Sequence, residues 1–568
     1  MSEQLPLTTQ EFMSWDWKQI EPFFHELETK RLNDEHVKAW LLDWTRLSNL
    51  IEETYARLYV ATTVDTNDSG SEERFQAFLG QILPPARASE QKLKEKLLKS
   101  GLKPAGFEIP LRNMQTEADI FQEENLPLLS EEQKLNTRYD RIIGDQTVSW
   151  EDKEITLLQL VPVLQEIDRD KRERAWRLGA ERQLDDREAI NDLWTELLTV
   201  RLKIAANAGM PDYRAYRWRE LLRFDYTPED CFAFHQAIED VVVPAAERIY
   251  EKRRKQLGVA RLRPWDLEVD PLERPPLRPF QSIDELEEGT QRIFNQVDPR
   301  LGAYFQTMRR ESLLDLDNRK GKAPGGYCID YPVAKRPFIF ANAVGLHIDV
   351  QTLLHEGGHA FHVFEKSHLP YNQQLQIPSE FAEVASMGME LLAAPYLANT
   401  EGGFYSIKDA ARARIEHLET SICFWPYMAV VDAFQHWVYQ HPELAMHPEQ
   451  CDAQWGLLWQ RFMRGQDWSG LDAEMMTGWH RKPHIHQTPF YYVEYGLAQL
   501  GAMQLWRNAL QDQGAGVRAY RQALSLGSTV GLPELYRAAG AKFAFDARTL
   551  GEVVQLAEET IQQLEAIN

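Results

Sequence analysis

The chain has 568 residues, too many for one compact core, so two or more domains or subdomains are expected. Apolar residues make up 43% and charged residues 26%, the composition of a folded globular protein, which excludes a mostly disordered chain. With 63 basic against 86 acidic side chains the net charge is −23, which opposes binding to a nucleic-acid backbone or an anionic lipid surface.

The stretch from Met1 to Glu21 is polar and acidic, without a basic start followed by an apolar run, so no secretory leader is read there. From Thr9 to Ser100 apolar residues recur at three- and four-residue spacing, as in Leu41, Leu42, Trp44, Leu47, Leu50 and Ile51, which predicts paired amphipathic helices with Gly101 as a stop. A second helical tract runs from about Glu117 to Ala206, broken at Gly144 to Ile155 by the pattern of a short hairpin. An N-terminal helical lobe over 1–200 and a second region over 201–568, which holds the His355 to His359 motif taken up below, are the expected divisions.

Pro264, Pro271, Pro275, Pro276 and Pro279 exclude a helix between Leu262 and Phe280 and predict an extended connector or a surface crossing, read as a subdomain seam rather than a free linker. Leu313 to Gly345 has strand and turn character, with Pro337 to Ala341 as a buried strand, so a small sheet is expected here. That strand and the turn Gly325-Gly326-Tyr327 can either bind an extended peptide by its backbone or serve as ordinary internal structure. Asp349 is the predicted N-cap of a helix carrying Leu353, Leu354, Phe361 and Phe364, and helical periodicity continues to Asn568. The expected fold class is mainly α. No stretch is long and apolar enough to span a bilayer, and Cys231, Cys328, Cys423 and Cys451 are scattered without a CxxC pair. A cytoplasmic protein with no membrane and no nucleic-acid partner is expected.

His355-Glu356-Gly357-Gly358-His359 is an HExxH sequence on a predicted helix. The four-residue spacing puts both imidazoles on one face, about 5 to 6 Å apart at Cβ, so that two nitrogens can reach one zinc ion while Glu356 takes a proton from the attacking water. Two adjacent helical glycines each cost about 1 kcal/mol relative to alanine, which calls for close approach of substrate or of a neighbouring backbone, or for a packing reason. The next predicted helix, from Pro378-Ser379, carries Glu383, Ser386 and Glu390 on one face. Glu383 is chosen as third ligand and Glu390 as the acid that orients a ligand histidine, with Glu380 as the rival ligand. His362 stands where an extended HExxHxxGxxH pattern needs glycine, so it is read as a neighbour of the site. Near the C-terminus His484, His486, Tyr491, Tyr492 and Tyr495 crowd together, and Tyr492, Tyr495 and His484 are the candidates to donate hydrogen bonds to an oxyanion.

Several separated pieces of the chain resemble the oligoendopeptidase F and thimet oligopeptidase family of zinc metallopeptidases. They are Lys322-Ala-Pro-Gly-Gly-Tyr327, Phe340-Ala-Asn342, the segment Thr352 to His362, Phe381-Ala-Glu-Val-Ala-Ser386 and Pro489-Phe-Tyr-Tyr-Val-Glu-Tyr495, with weaker likeness in Gly209 to Tyr216 and Trp265-Asp-Leu267. The resemblance implies a mainly α, two-lobed molecule with a deep central channel that admits short unfolded peptides, and one zinc per chain on His355, His359 and Glu383. It also implies Glu356 as base and oxyanion or substrate contacts from His484, Tyr492 and Tyr495, with His486 as an alternative to His484. The rival functions are a zinc aminopeptidase and a non-catalytic helical binding protein. Oligomeric state is not legible.

Overall fold

Trp40, Leu41, Trp44, Leu47, Leu50 and Ile51 are all buried along helix α1 (Val37–Val64). In the computed structural model, which describes residues 5–567, this face closes a core of its own with Phe12, Phe24, Leu93, Leu97 and Met114. Met1–Gln4, the start of the polar N-terminal stretch, and Asn568 lie outside the described residues. Gly101, at φ 69°, ends the preceding helix Leu83–Ser100 in the left-handed conformation that suits glycine. Tyr371 joins this core, and the backbone N–H of Asn372 donates to Thr45 Oγ1 at 3.1 Å, so α1 is tied to the loop that follows the HExxH helix.

The predicted hairpin is present as β1 (Thr147–Trp150) and β2 (Lys153–Thr156), antiparallel and joined by Glu151 and Asp152, both at positive φ as a tight two-residue turn demands. Helix α2 (Arg187–Asn207) then buries Leu193, Trp194, Leu197, Leu198 and Ile204 in a second and much larger core that reaches Leu564. The proline-rich crossing is held in place: Asp266 is fully buried, and Arg169 (2.8 Å) and Arg172 (3.1 Å) both hold its carboxylate.

The strand-like segment forms a three-stranded sheet of β3 (Leu314–Asp317), β4 (Tyr327–Tyr331) and β5 (Arg336–Ala343), in the order β3-β5-β4. The strand Pro337 to Ala341 is therefore central, its backbone bonded to parallel β3 on one side and antiparallel β4 on the other. A peptide cannot add to it; the sheet's outer edge on this side is β4. Lys322 explains part of the motif before β4. Its buried ammonium donates to the carbonyls of Asp315 (3.0 Å), Asp317 (2.8 Å) and Ala341 (2.6 Å), stapling β3 to β5.

The sheet leads directly into α3 (His347–Lys366), followed by α4 (Ser379–Ala393), α5 (Ile407–Gln440) and α6 (Tyr492–Gln511). Asp349 is not the N-cap but the third residue of α3. From there its carboxylate accepts the backbone N–H groups of Val344 and Leu346, both at 2.8 Å, which fixes the angle at which the chain leaves β5. The architecture is mainly α with two small sheets, one of them beside the HExxH helix. No described helix is long and apolar enough to cross a membrane.

Candidate active site

His355 and His359 lie one turn apart on α3, with ring centres 5.0 Å apart. The glycines between them serve packing. A Cβ on Gly358 would stand 2.4 Å from the carbonyl oxygen of Ala385 and 2.6 Å from the Cα of Ser386, and one on Gly357 would stand 2.5 Å from the ring of Phe294. Gly358 thus lets the backbone of α4 press against α3, which is what carries Glu383 up to the imidazole pair.

One donor atom each from His355, His359 and Glu383 lie within 4.8 Å of one another. The Oε2 of Glu383 is 3.5 Å from the Nε2 of His355 and 4.0 Å from that of His359. Ser386 Oγ donates to the same carboxylate at 3.0 Å and holds its orientation. His355 donates through Nδ1 to Glu390 Oε1 at 2.6 Å, which turns its Nε2 lone pair toward Glu383 and His359. The other oxygen of Glu390 meets His417 Nε2 of α5 at 2.9 Å, an orienting partner for which no sequence motif gave notice. Two imidazole nitrogens and a carboxylate oxygen, with two acids held close by, form a donor set that fits a divalent cation.

The electrostatics carry the same sign. Burial opposes a charge on His355, but the carboxylates of Glu383 and Glu390 outweigh it and lift the imidazole to about 10, a measure of how strongly this pocket attracts positive charge. Burial draws His359 down to about 4, so it stands as a neutral nitrogen donor. Glu356 is buried, and that burial, reinforced by Glu383 and Glu390 and opposed by His355, pushes its carboxyl up to about 7.

Glu380, the rival ligand, faces elsewhere. It accepts a hydrogen bond from the Tyr226 hydroxyl at 2.7 Å and lies 3.8 Å from Arg223, which also pairs with Glu494. Burial and the charge of Glu380 hold Glu494 well above the ordinary carboxylate range. A carboxyl raised in this way keeps a proton that the unfolded chain releases, so stability is lost as pH rises from the unfolded value of about 4.3 through the folded one. Glu494→Gln is therefore expected to melt with the wild type below about pH 4 and above it at pH 8, read from thermal melts across that range.

His362 is buried against Phe381 with its Nε2 unpaired, outside the three-residue cluster. His486 is fully buried and stacks on Tyr139 at 4.5 Å, while His484 is half-buried and lies among Tyr491, Tyr492 and Tyr495 at 6.0, 4.9 and 6.0 Å between ring centres. Tyr491 and Tyr495 are close enough to Glu383 for its charge to raise their phenols above the ordinary range, in addition to the larger effect of burial. The Tyr492 hydroxyl is instead engaged by Lys482 Nζ at 2.8 Å. Tyr491, outside the roles assigned from sequence, joins the residues around Glu383. Cys328 of β4 is near enough to Glu356 to feel its charge, so the outer strand of the sheet runs beside that acid.

Residues 163–553 match the model of peptidase family M3. The chain belongs to this family, whose members are metallopeptidases. An oligoendopeptidase F homologue of Borreliella burgdorferi is 23% identical over 296 residues, which are 50% of this chain and 48% of that protein, so the match spans about half the length of the curated relative. Among solved structures, PZ peptidase A bound to an inhibitor superposes with a TM-score of 0.85 at 26% identity, covering 99% of both chains. A structure assigned to oligoendopeptidase F gives 0.85 at 27% identity over 96% of this chain and 97% of its own. The same fold recurs in a Bacillus anthracis structure with a TM-score of 0.81 at 24% identity, over 99% of this chain and 98% of that one.

Proposed function

We propose that this M3 peptidase is a zinc-dependent endopeptidase of short unstructured oligopeptides, with one zinc per chain on His355, His359 and Glu383 and with Glu356 as general base. The observation that carries it is the convergence of the three donor atoms beside a buried acid on the same helical turn. When bound, the zinc supplies Lewis-acid polarisation and lowers the pKa of water to about 7. Glu356, with its proton affinity raised by burial, takes the proton of the attacking water and returns it to the leaving amine. Glu390, held by His417, keeps His355 in the tautomer whose Nε2 is free.

Tyr491 and Tyr495 remain protonated at neutral pH and supply O–H donors for the developing oxyanion, with neutral His484 behind them. Tyr492 is assigned to substrate contact rather than to the oxyanion, because its hydroxyl is turned to Lys482. The outer edge of β4 offers unpaired backbone beside Glu356, which suits an extended peptide of varied sequence. Four free cysteines support a reducing, cytoplasmic setting, and the similarity to PZ peptidase A and oligoendopeptidase F supports oligopeptide substrates.

A peptide library with blocked and free N-termini, incubated with and without a chelator and read by mass spectrometry, tests the proposal. Internal cleavage of blocked peptides, lost with chelator and restored by zinc, is the expected result. Cleavage confined to free N-termini would make the protein an aminopeptidase, and absence of chelator-sensitive hydrolysis would leave a binding protein.

A further inference from the structure

A carboxylate taken fully out of water needs a cation beside it, and Asp432 of α5 has no lysine or arginine in that place. Its Oδ2 meets two imidazoles instead, His235 Nε2 at 2.8 Å and His436 Nε2 at 3.4 Å, and no Lys or Arg among the described residues forms an ion pair with it. Its Oδ1 has no hydrogen-bond partner, and neither has the Nε2 of His436 once bond angles are taken into account. Cys231 faces the same point: one donor atom each from Cys231, Asp432 and His436 lie within 4.8 Å of one another. All four side chains are buried, and the rings of Phe232 and Phe490, 4.8 and 5.2 Å from that of His436, help to shut the cluster off.

Two helices build this cluster, each by the i, i+4 spacing that puts a pair of donors on one face. Cys231 and His235 lie on the helix Pro228–Ala237, and Asp432 and His436 lie on α5. The two pairs are almost 200 residues apart in the chain, 197 between His235 and Asp432, so no compact cysteine motif announces them. Burial opposes a charge on Asp432, but the two histidines outweigh it and hold its carboxyl well below the ordinary range. Burial and the charge of Asp432 hold the Cys231 thiol well above its own, so in the absence of a cation it keeps its proton.

We propose that Cys231, His235, Asp432 and His436 form a second metal site, which takes zinc as a structural ion and clamps the helix Pro228–Ala237 to α5. Thiolate, imidazole and carboxylate together select zinc, and a closed set of four protein ligands is the pattern of a structural site. Binding releases the thiol proton of Cys231, the ion supplying the positive charge that the buried thiolate and carboxylate need. Arg214, half-buried, meets His436 Nδ1 at 3.3 Å, a contact that favours a proton on Nε2. In the loaded site the proton moves to Nδ1 and Arg214 turns away. The clamped helix α5 is also the one that carries His417 to Glu390.

The test counts metal and reads its ligands. Wild type, Glu383→Ala and Cys231→Ser are each saturated with zinc, dialysed and analysed for bound metal, and each is also loaded with cobalt(II) in place of zinc. Two ions per chain are expected in the wild type and one in each variant, because Glu383→Ala leaves the second site and Cys231→Ser leaves the first. A sulfur-to-cobalt charge-transfer band in the near ultraviolet is expected in the wild type and in Glu383→Ala, and is expected to vanish in Cys231→Ser, since His355, His359 and Glu383 include no sulfur. A wild type with one ion and no such band, or a band that survives Cys231→Ser, would overturn the proposal. Should Cys231→Ser fail to fold, Glu383→Ala decides alone: one cobalt with the sulfur band supports the second site, and no bound cobalt refutes it. Chelation is expected to lower the melting temperature of Glu383→Ala, which has only the second ion to lose, and an unchanged melt would refute the clamp. Hydrolysis enters none of these readouts, so a failure of the peptidase function and a failure of the second site are told apart.

Discussion

Glu356→Gln is expected to lower kcat/KM by about 10² to 10⁴-fold while leaving the metal content unchanged. The substitution keeps the shape of the side chain and removes only its capacity to accept and return a proton. That capacity is tuned by the fold: Glu356 is 8% exposed, and burial brings its proton affinity close to neutrality, where a general base works with least mismatch. At 1.36 kcal/mol per tenfold, the loss corresponds to about 3 to 5 kcal/mol of transition-state stabilisation. Because Glu356 is not among the three donors that converge, the ligand set is intact in the variant. Steady-state rates with elemental analysis of the same preparation check both halves. A near-normal rate would remove Glu356 from the base role, and loss of metal would show that it contributes to binding.

The parts of this site that were legible in the sequence are those governed by helical periodicity. Spacing of i, i+4 stacked His355 over His359, and spacing of i, i+7 put Glu383 and Glu390 on one face of the next helix, where the structure has them both directed at α3. The glycine pair was legible as a sign of close approach, but the identity of the approaching group was not, since the α4 backbone meets α3 only through tertiary packing. His417 was invisible for the same reason: it sits within the long helix α5 with no motif around it, and only the fold brings it to Glu390.

Errors arose where an element boundary set the geometry. Tyr492 and Tyr495 are the helical pair that the spacing implies, both within α6, but the spacing does not show which partners their hydroxyls meet. Tyr491, at the N-cap of α6 with helical φ and ψ, shares the face of Tyr495 one turn on and lies near Glu383, while the Tyr492 hydroxyl meets Lys482. Asp349 looked like a cap by residue type and acts from the third helical position instead. A buried strand such as β5 reads alike whether it is central or at an edge, because burial on both faces leaves no alternation to interpret.

Glu383→Ala is expected to lose its metal, and Glu380→Ala to keep it. The two acids are one turn apart on α4, and composition alone does not separate them. Geometry does: Glu383 lies 3.5 and 4.0 Å from the two imidazole nitrogens, whereas Glu380 accepts from Tyr226 and faces Arg223. Removing an outer partner of a metal ligand typically costs 10- to 100-fold in affinity, and removing one of three protein ligands should cost more than about that. Alanine at Glu380 instead deprives a buried phenol of its acceptor and Arg223 of one of two carboxylates, a loss of about 1 to 3 kcal/mol in stability. Glu494 offsets part of it, because without the charge of Glu380 beside it the remaining acid ionises more readily and pairs more fully with Arg223. Metal content and thermal melts of the two proteins, measured side by side, separate a ligand from a structural acid. Loss of metal in Glu380→Ala with retention in Glu383→Ala would transfer the ligand role to Glu380 and require α4 to turn relative to α3, which the contact of Gly358 with Ala385 and Ser386 forbids in the present packing.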